Sequence, residues 1–303
     1  MAIKQFIKIH WADDRKPYFK LYDKAQNKIE FIEATGSVQM KRLNTKSCVG
    51  YYNLQEMKEY PCENRINLTD SKYIRCKRCE DLTGFSLCMM CKGDVCRTTN
   101  SNALEFCKRK HMLYLAFFPN DIVKVGTAEY DRRYERLLEQ GAVYSFFIAE
   151  TNGMDIRKIE TAVSKLGITS QVTPSQKLKN LLGYTSSQAV KELLVERLSF
   201  VRKKIDSFYL EYFIEPEFND FGHLLSKLSV IPKSQPQYDL FGNIVNSNTN
   251  ESYKIIQNIN DLPGEVISII GNIALLKDKT EFIALNLKGF YGWHIDFKND
   301  KIL

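Results

Sequence analysis

An α+β protein is predicted by three features: short alternating apolar stretches near both ends, amphipathic helical repeats in the middle, and a cysteine-rich segment with little apolar periodicity. Alternation with a period of two marks half-buried strands, and recurrence near every 3.6 residues marks helices. Where neither period is present, something other than a hydrophobic core has to hold the chain.

From Ile3 to Leu43 the stretches FIKIH, PYFKLYD and KIEFIE are broken by polar turns, which predicts an N-terminal β-rich unit over residues 1–70. Residues Cys62 to His111 are rich in Cys, Lys, Arg, Asn and Thr, as in segments where a metal replaces an apolar core, and a zinc-binding segment is predicted over 71–110. An αβ core with a small antiparallel sheet and a helical extension is predicted over 111–231. HMLYLAFF and IVKVGT form a hairpin about Pro119, Asn120 and Asp121. Asp131 caps a helix to about Gln140 with Gly141 as its stop, and VYSFFIAE supplies a third strand. Helices from about Asp155 to Leu166 and from about Gln188 to Ile205 follow. The Pro, Gly, Asn and Ser content of 232–252 marks a linker, and EVISIIGNIALL, EFIALNL and GWHIDF predict a small C-terminal β domain over 253–303.

At 303 residues, two or three packed units are expected. A composition of 44% hydrophobic and 26% charged residues excludes a disordered or fibrous chain. No apolar run is long enough to cross a bilayer as a helix, and the N-terminus lacks a signal-peptide core, so no membrane partner and a cytoplasmic location are expected. The net charge of +7 favours a polyanionic partner, DNA or RNA. In a reducing compartment the 8 cysteines are not kept as disulfides, and their clustering points to metal.

Cys76-x-x-Cys79 and Cys88-x-x-Cys91 have the spacing of a zinc ribbon, two thiolate pairs on two turns that together offer Zn²⁺ a tetrahedron. Four thiolates leave no open position, so the ion is expected to be structural. Cys48, Cys62, Cys96 and Cys107 either form a second zinc site or are ordinary buried thiols. His111 either faces the zinc segment as a ligand or caps it.

The stretch from His111 to Glu160 resembles the GIY-YIG nuclease core. Met112-Leu113-Tyr114 stands for its Gly-Ile-Tyr strand, Lys124-Val125-Gly126 for its Tyr-Ile-Gly strand, and Arg136 and Glu160 for its helical arginine and metal-binding glutamate. Met112 replaces the glycine and Lys124 the tyrosine. The arrangement is more similar still to an uncharacterised zinc-ribbon family, domain of unknown function 2797, in HMLYLA, KVG and LLEQGA, in Cys48 followed by Gly50, and in the Pro61-Cys62 pair. The resemblance covers most of the chain and supplies an architecture, not a reaction. The nuclease likeness implies phosphodiester hydrolysis of DNA or RNA, with Tyr114, Arg136 and Glu160 catalytic and Mg²⁺ or Mn²⁺ on Glu160.

The residues carry part of this unaided. At about 100° per residue, Glu160 falls in the apolar stripe between Ile156 and Val163, where a carboxylate needs a metal or an ion-pair partner. Arg133, Arg136 and Gln140 line one flank of the preceding helix, and an arginine fork matches phosphate oxygens. Arg136 could instead pair with Glu135 or Glu139. Lys124 and the clusters Lys108-Arg109-Lys110 and Arg202-Lys203-Lys204 either track a phosphate backbone or solvate a face. Two other functions fit the same residues: a catalytically inactive nucleic-acid-binding module, and a zinc-stapled protein-interaction scaffold.

Overall fold

Alternating apolar residues at the two ends of the chain make strands of the same sheet. In the computed structural model, which describes residues 2–70, 72–118, 122–178, 181, 186–226, 228, 231, 237–238, 244–246, 253–256 and 260–299, the first four strands are β1 (Ala2–Trp11), β2 (Pro17–Asp23), β3 (Lys28–Glu33) and β4 (Gly36–Lys46). A short hairpin, β5 (Tyr51–Asn53) and β6 (Lys58–Tyr60), precedes helix α1 (Lys77–Thr83), a 3-10 turn (Leu87–Met90) and α2 (Ser101–Lys108).

The central αβ part follows as β7 (Lys110–Phe118), β8 (Ile122–Glu129), α3 (Arg133–Gln140), β9 (Tyr144–Asn152), α4 (Gly153–Lys165), α5 (Pro174–Leu178), α6 (Ser187–Lys204), β10 (Phe213–Asp220) and the short α7 (His223–Ser226). Beyond it lie β11 (Gln237–Tyr238), β12 (Ile244–Asn246), β13 (Lys254–Ile256), β14 (Asp261–Ile270), β15 (Ile273–Asp278), β16 (Glu281–Asn286) and β17 (Trp293–Asn299). The expected hairpin turn at Pro119, Asn120 and Asp121 lies outside the described residues, as does most of the expected linker 232–252.

The expected N-terminal unit, 1–70, and C-terminal domain, 253–303, are not separate. They share one nine-stranded sheet of order β13-β16-β15-β14-β4-β17-β1-β2-β3. The registers Phe297↔Ala2 and Phe297↔Met40 bring the end of the chain between β1 and β4. Each set alone would expose an unpaired edge. Phe6, Phe19, Met40, Phe290 and Ile295 are fully buried in their joint core. At about 1.5–3 kcal/mol for each large apolar side chain taken from water, this joint core is a large stabilising element.

The second sheet has the order β10-β9-β7-β8, with β7 inside it. Its near-continuous apolar strand is buried from His111 to Phe118, with α4 and α6 packed on the face formed by Leu113, Leu115 and Val125. The opposite face, with Met112, Tyr114 and Ala116, joins the same core as the nine-stranded sheet. Helix α4 begins at Asn152, whose side chain accepts from the Met154 and Asp155 amides at 2.9 and 3.1 Å. Helix α3 is not capped by Asp131. The Glu129 carboxylate accepts from the amides of Asp131 and Arg132 instead, at 3.0 and 3.2 Å. At the other end of α3, Gly141 meets Gly271 of the β14–β15 turn, and a Cβ on Gly271 would stand 2.8 Å from the Gly141 nitrogen. That contact sets the terminal sheet against the central part and forms one side of a cleft.

Candidate active site and metal centre

The metal centre is built from the chain before the central sheet. Cys48 follows β4, Cys62 follows β6, and Cys76 and Cys79 stand at the start of α1. All four are buried, and their sulfurs lie within 4.8 Å of one another, an arrangement that can bind a zinc ion. The Gly50 amide donates to Cys48 Sγ at 3.4 Å and the Cys76 amide to the same sulfur at 3.2 Å. Burial pushes the Cys48 thiol up to about 11. Cys62 is desolvated too, yet the Ile66 amide and the neighbouring thiols hold it below its ordinary value.

This corrects the sequence-based grouping. Cys76 and Cys79 do not share a cluster with Cys88 and Cys91 but with Cys48 and Cys62, while Cys88, Cys91, Cys96 and Cys107 line a different, small cavity. Spacing along the chain put Cys76 and Cys79 together, but did not give their partners. The β5–β6 hairpin returns Cys62 to Cys48, and α1 carries the chain away before Cys88. His111 is buried; its Nδ1 lies 3.0 Å from the Arg109 carbonyl, and among the described residues its Nε2 has no hydrogen-bond partner.

The second assembly surrounds Tyr114, fully buried on β7. Its β8 neighbour across the pair is Gly126, where an added Cβ would stand 2.4 Å from the phenol oxygen. Burial pushes the phenol up to about 12. The neighbouring Arg136 guanidinium opposes that shift, and the nearby Glu160 charge adds to it. Burial also raises Glu160, against the pull of Lys124, Arg157 and Arg136. The three side chains singled out from the sequence therefore interact with one another. Glu135 and Glu139, the alternative partners of Arg136, are engaged by Arg132 at 2.8 and 3.2 Å, and Arg136 comes only within 4.0 Å of Glu139.

Lys124 and Arg136 line a cleft of about 510 Å³ together with Gln140, Lys177, Lys288 and Lys8. Lys124 donates to Gln140 Oε1 at 2.6 Å, and Lys177 to the Gln140 carbonyl at 2.5 Å. Burial, then the other cations of the group, lowers Lys124 to about 8 and Lys177 to about 7. Lys288 is lowered for the same two reasons. Cations are thus crowded in a half-dry cleft whose one lining carboxylate, Glu139, pairs with Lys8, and such crowding favours an anion beside them.

Lys177 and Lys288 were not among the residues singled out from the sequence. Lys288 enters because the last strands fold back over α3, a relation with no local sequence signal. Lys177 had a signal in Pro174, which starts α5 at the cleft's rim. Other expected nucleic-acid contacts fall elsewhere. Arg133 is stacked on Tyr130 and Tyr134 and donates to the Tyr130 carbonyl at 2.7 Å. Lys108 pairs with Glu105, Arg109 donates to the Gln55 carbonyl, and Lys110 pairs with Glu150, each at 2.6 Å. None of these four lines the cleft.

The family model described as protein of unknown function (DUF2797) matches residues 35–295, from the residue before β4 to within β17. The chain belongs to that family. The match takes in the four-cysteine centre, most of the cleft lining and most of both sheets. No curated protein and no solved structure matches the chain. Among the described residues no helix is long and apolar enough to cross a membrane.

Proposed function

We propose that this family member is a divalent-metal-dependent phosphodiester hydrolase of the GIY-YIG type acting on DNA or RNA. The observation that supports this reading is that Tyr114 lies in the field of Arg136, and Glu160 in the field of Arg136 and Lys124, two cations that line a cleft beside them. Zn²⁺ at Cys48, Cys62, Cys76 and Cys79 is structural in this scheme.

The Arg136 fork holds phosphate oxygens and stabilises the charge that develops on them. The phenol of Tyr114, protonated at neutral pH beside Arg136, orients the attacking water. Lys124, lowered to about 8, is matched to deliver a proton to the leaving oxygen. Glu160 would hold Mg²⁺ or Mn²⁺, which supplies Lewis-acid polarisation of the phosphate when bound. A single carboxylate fits such an ion, because Mg²⁺ keeps several waters and takes other ligands from substrate phosphates.

The test is incubation of purified protein with Mg²⁺ or Mn²⁺ and single-stranded, duplex and branched substrates. Cleavage is expected, reduced about 100-fold or more by Glu160→Gln and by Tyr114→Phe. Absence of cleavage on every substrate, or full activity in Glu160→Gln, overturns the reading. One observation favours a second reading, binding without chemistry: the Lys124 and Arg136 charges both act on Glu160 and compete with a divalent ion. Salt-dependent binding with no cutting in either metal selects it.

A further inference from the structure

We propose that Cys88, Cys91, Cys96 and Cys107 form a second zinc site, separate from the buried four-cysteine centre, and that it fixes the helix carrying Glu160. The four side chains line one small cavity with Met154 and Arg157. Cys88 comes from the 3-10 turn, Cys91 from its end, Cys96 from the loop beyond, and Cys107 from the last turn of α2.

The first centre provides a standard for comparison. There the chain runs Cys48-Val49-Gly50, with Gly50 at φ +96° and its amide 3.4 Å from Cys48 Sγ. Here it runs Cys91-Lys92-Gly93, with Gly93 at φ +84° and its amide 3.4 Å from Cys91 Sγ. The same turn recurs in the same residue pattern, and its effect is to aim an N–H at a sulfur that bears negative charge when it binds metal. A four-thiolate zinc site carries a net charge of about −2. Arg157, in the lining of the same cavity, answers part of it, since its positive charge favours the Cys88 thiolate. Among the described residues only the first set has all its ligand atoms within 4.8 Å of one another. In the second set Cys96 is exposed at the rim, and metal closes the set by drawing that loop inward.

The consequence for the cleft comes through α4. A Cβ on Gly93 would stand 2.4 Å from the Met154 carbonyl oxygen, and one on Gly153 2.9 Å from Cys107 Sγ. The cysteine loop therefore abuts the first turn of the helix whose second turn holds Glu160. Zinc at this place ties that turn to α2 and the 3-10 turn independently of any reaction.

The test is metal content of the purified full chain by atomic emission, with alkylation of native protein read by peptide mass spectrometry. The expected result is two zinc ions per chain, falling to one in Cys91→Ser and in Cys107→Ser, with Cys96 protected from alkylation until a chelator is added. One zinc per chain in the parent protein, or rapid alkylation of Cys96 while Cys48, Cys62, Cys76 and Cys79 stay protected, overturns the proposal. The alkylation arm uses the unmodified sequence, so it decides the matter even where a serine variant does not fold.

Discussion

Tyr114 and Gly126 face each other across the β7–β8 pair, and the phenol oxygen occupies the space that a side chain at Gly126 would need, 2.4 Å from where its Cβ would be. Glycine is required there so that a buried tyrosine can turn its hydroxyl along the strand toward Arg136. Gly126→Ala is expected to cost about 1–3 kcal/mol, as overpacking of a tight core does, and to displace the hydroxyl. Tyr114→Phe removes only the oxygen and keeps the ring. Chemical denaturation of both variants checks this: near-parent stability in Gly126→Ala would sink the claim that the space is filled.

The cleft lysines give a pH dependence that ordinary surface lysines do not. A lysine lowered to about 7 or 8 is charged below that value and neutral above it, so anion binding is strong at low pH and weakens as pH rises through about 7 to 8. With lysines at their usual value the affinity would stay flat until about pH 10. Fluorescence anisotropy of a labelled oligonucleotide at constant ionic strength, from about pH 6 to about pH 9, reads this directly. Lys177→Met is expected to weaken binding at the acid end and to flatten the curve; an unchanged curve removes Lys177 from the site.

Much of this was legible in the sequence, and the reasons differ from one feature to the next. The period of two in PYFKLYD and KIEFIE located β2 and β3 at their observed bounds, because local alternation is what a half-buried strand needs. The position of Glu160 on α4 followed from helical geometry alone. What could not be read was any relation between distant segments. Nothing near Phe297 says that it pairs between Ala2 and Met40, and nothing in Cys76-x-x-Cys79 says that its partners lie upstream at Cys48 and Cys62. One signal was present and undervalued: a glycine two residues after Cys48 and again two after Cys91, the same turn in both places.

Lys8 on β1 ties the nine-stranded sheet to the central part through carboxylates from two other elements. Its ammonium lies 2.9 Å from Glu59 on β6, and 3.3 and 3.8 Å from Glu139 and Glu135 on α3. Glu59 is desolvated, yet Lys8 and Lys20 hold its carboxyl down to about 2. Its contribution is therefore fully present above the ordinary carboxylate value and is lost as pH falls toward 2. Lys8→Met leaves three partly buried carboxylates short of a cation and is expected to cost about 2–3 kcal/mol at neutral pH. The loss should shrink in acid, where the carboxylates protonate. Urea melts at about pH 7 and about pH 3 check it, and equal losses at the two values would contradict the network.

Removal of metal separates the buried cysteine centre from the apolar core. Cys48, Cys62, Cys76 and Cys79 pack mainly on one another, with Tyr51 and Leu68 beside them, so little hydrophobic burial remains to hold α1 and the β5–β6 hairpin once the ion is gone. The nine-stranded and four-stranded sheets keep the two cores of large buried side chains that they share. Cys62→Ser is accordingly expected to lower the melting temperature by roughly 10 °C, since loss of a structural zinc ligand costs several kcal/mol in a chain of this size. Limited proteolysis of the chelated protein should then cut first between Cys48 and Cys107 and spare β7 to β9. Cuts appearing first within the central sheet would mean that the metal centre supports the whole fold rather than its own segment, and a chelated chain as resistant as the untreated one would mean that no ion was holding it.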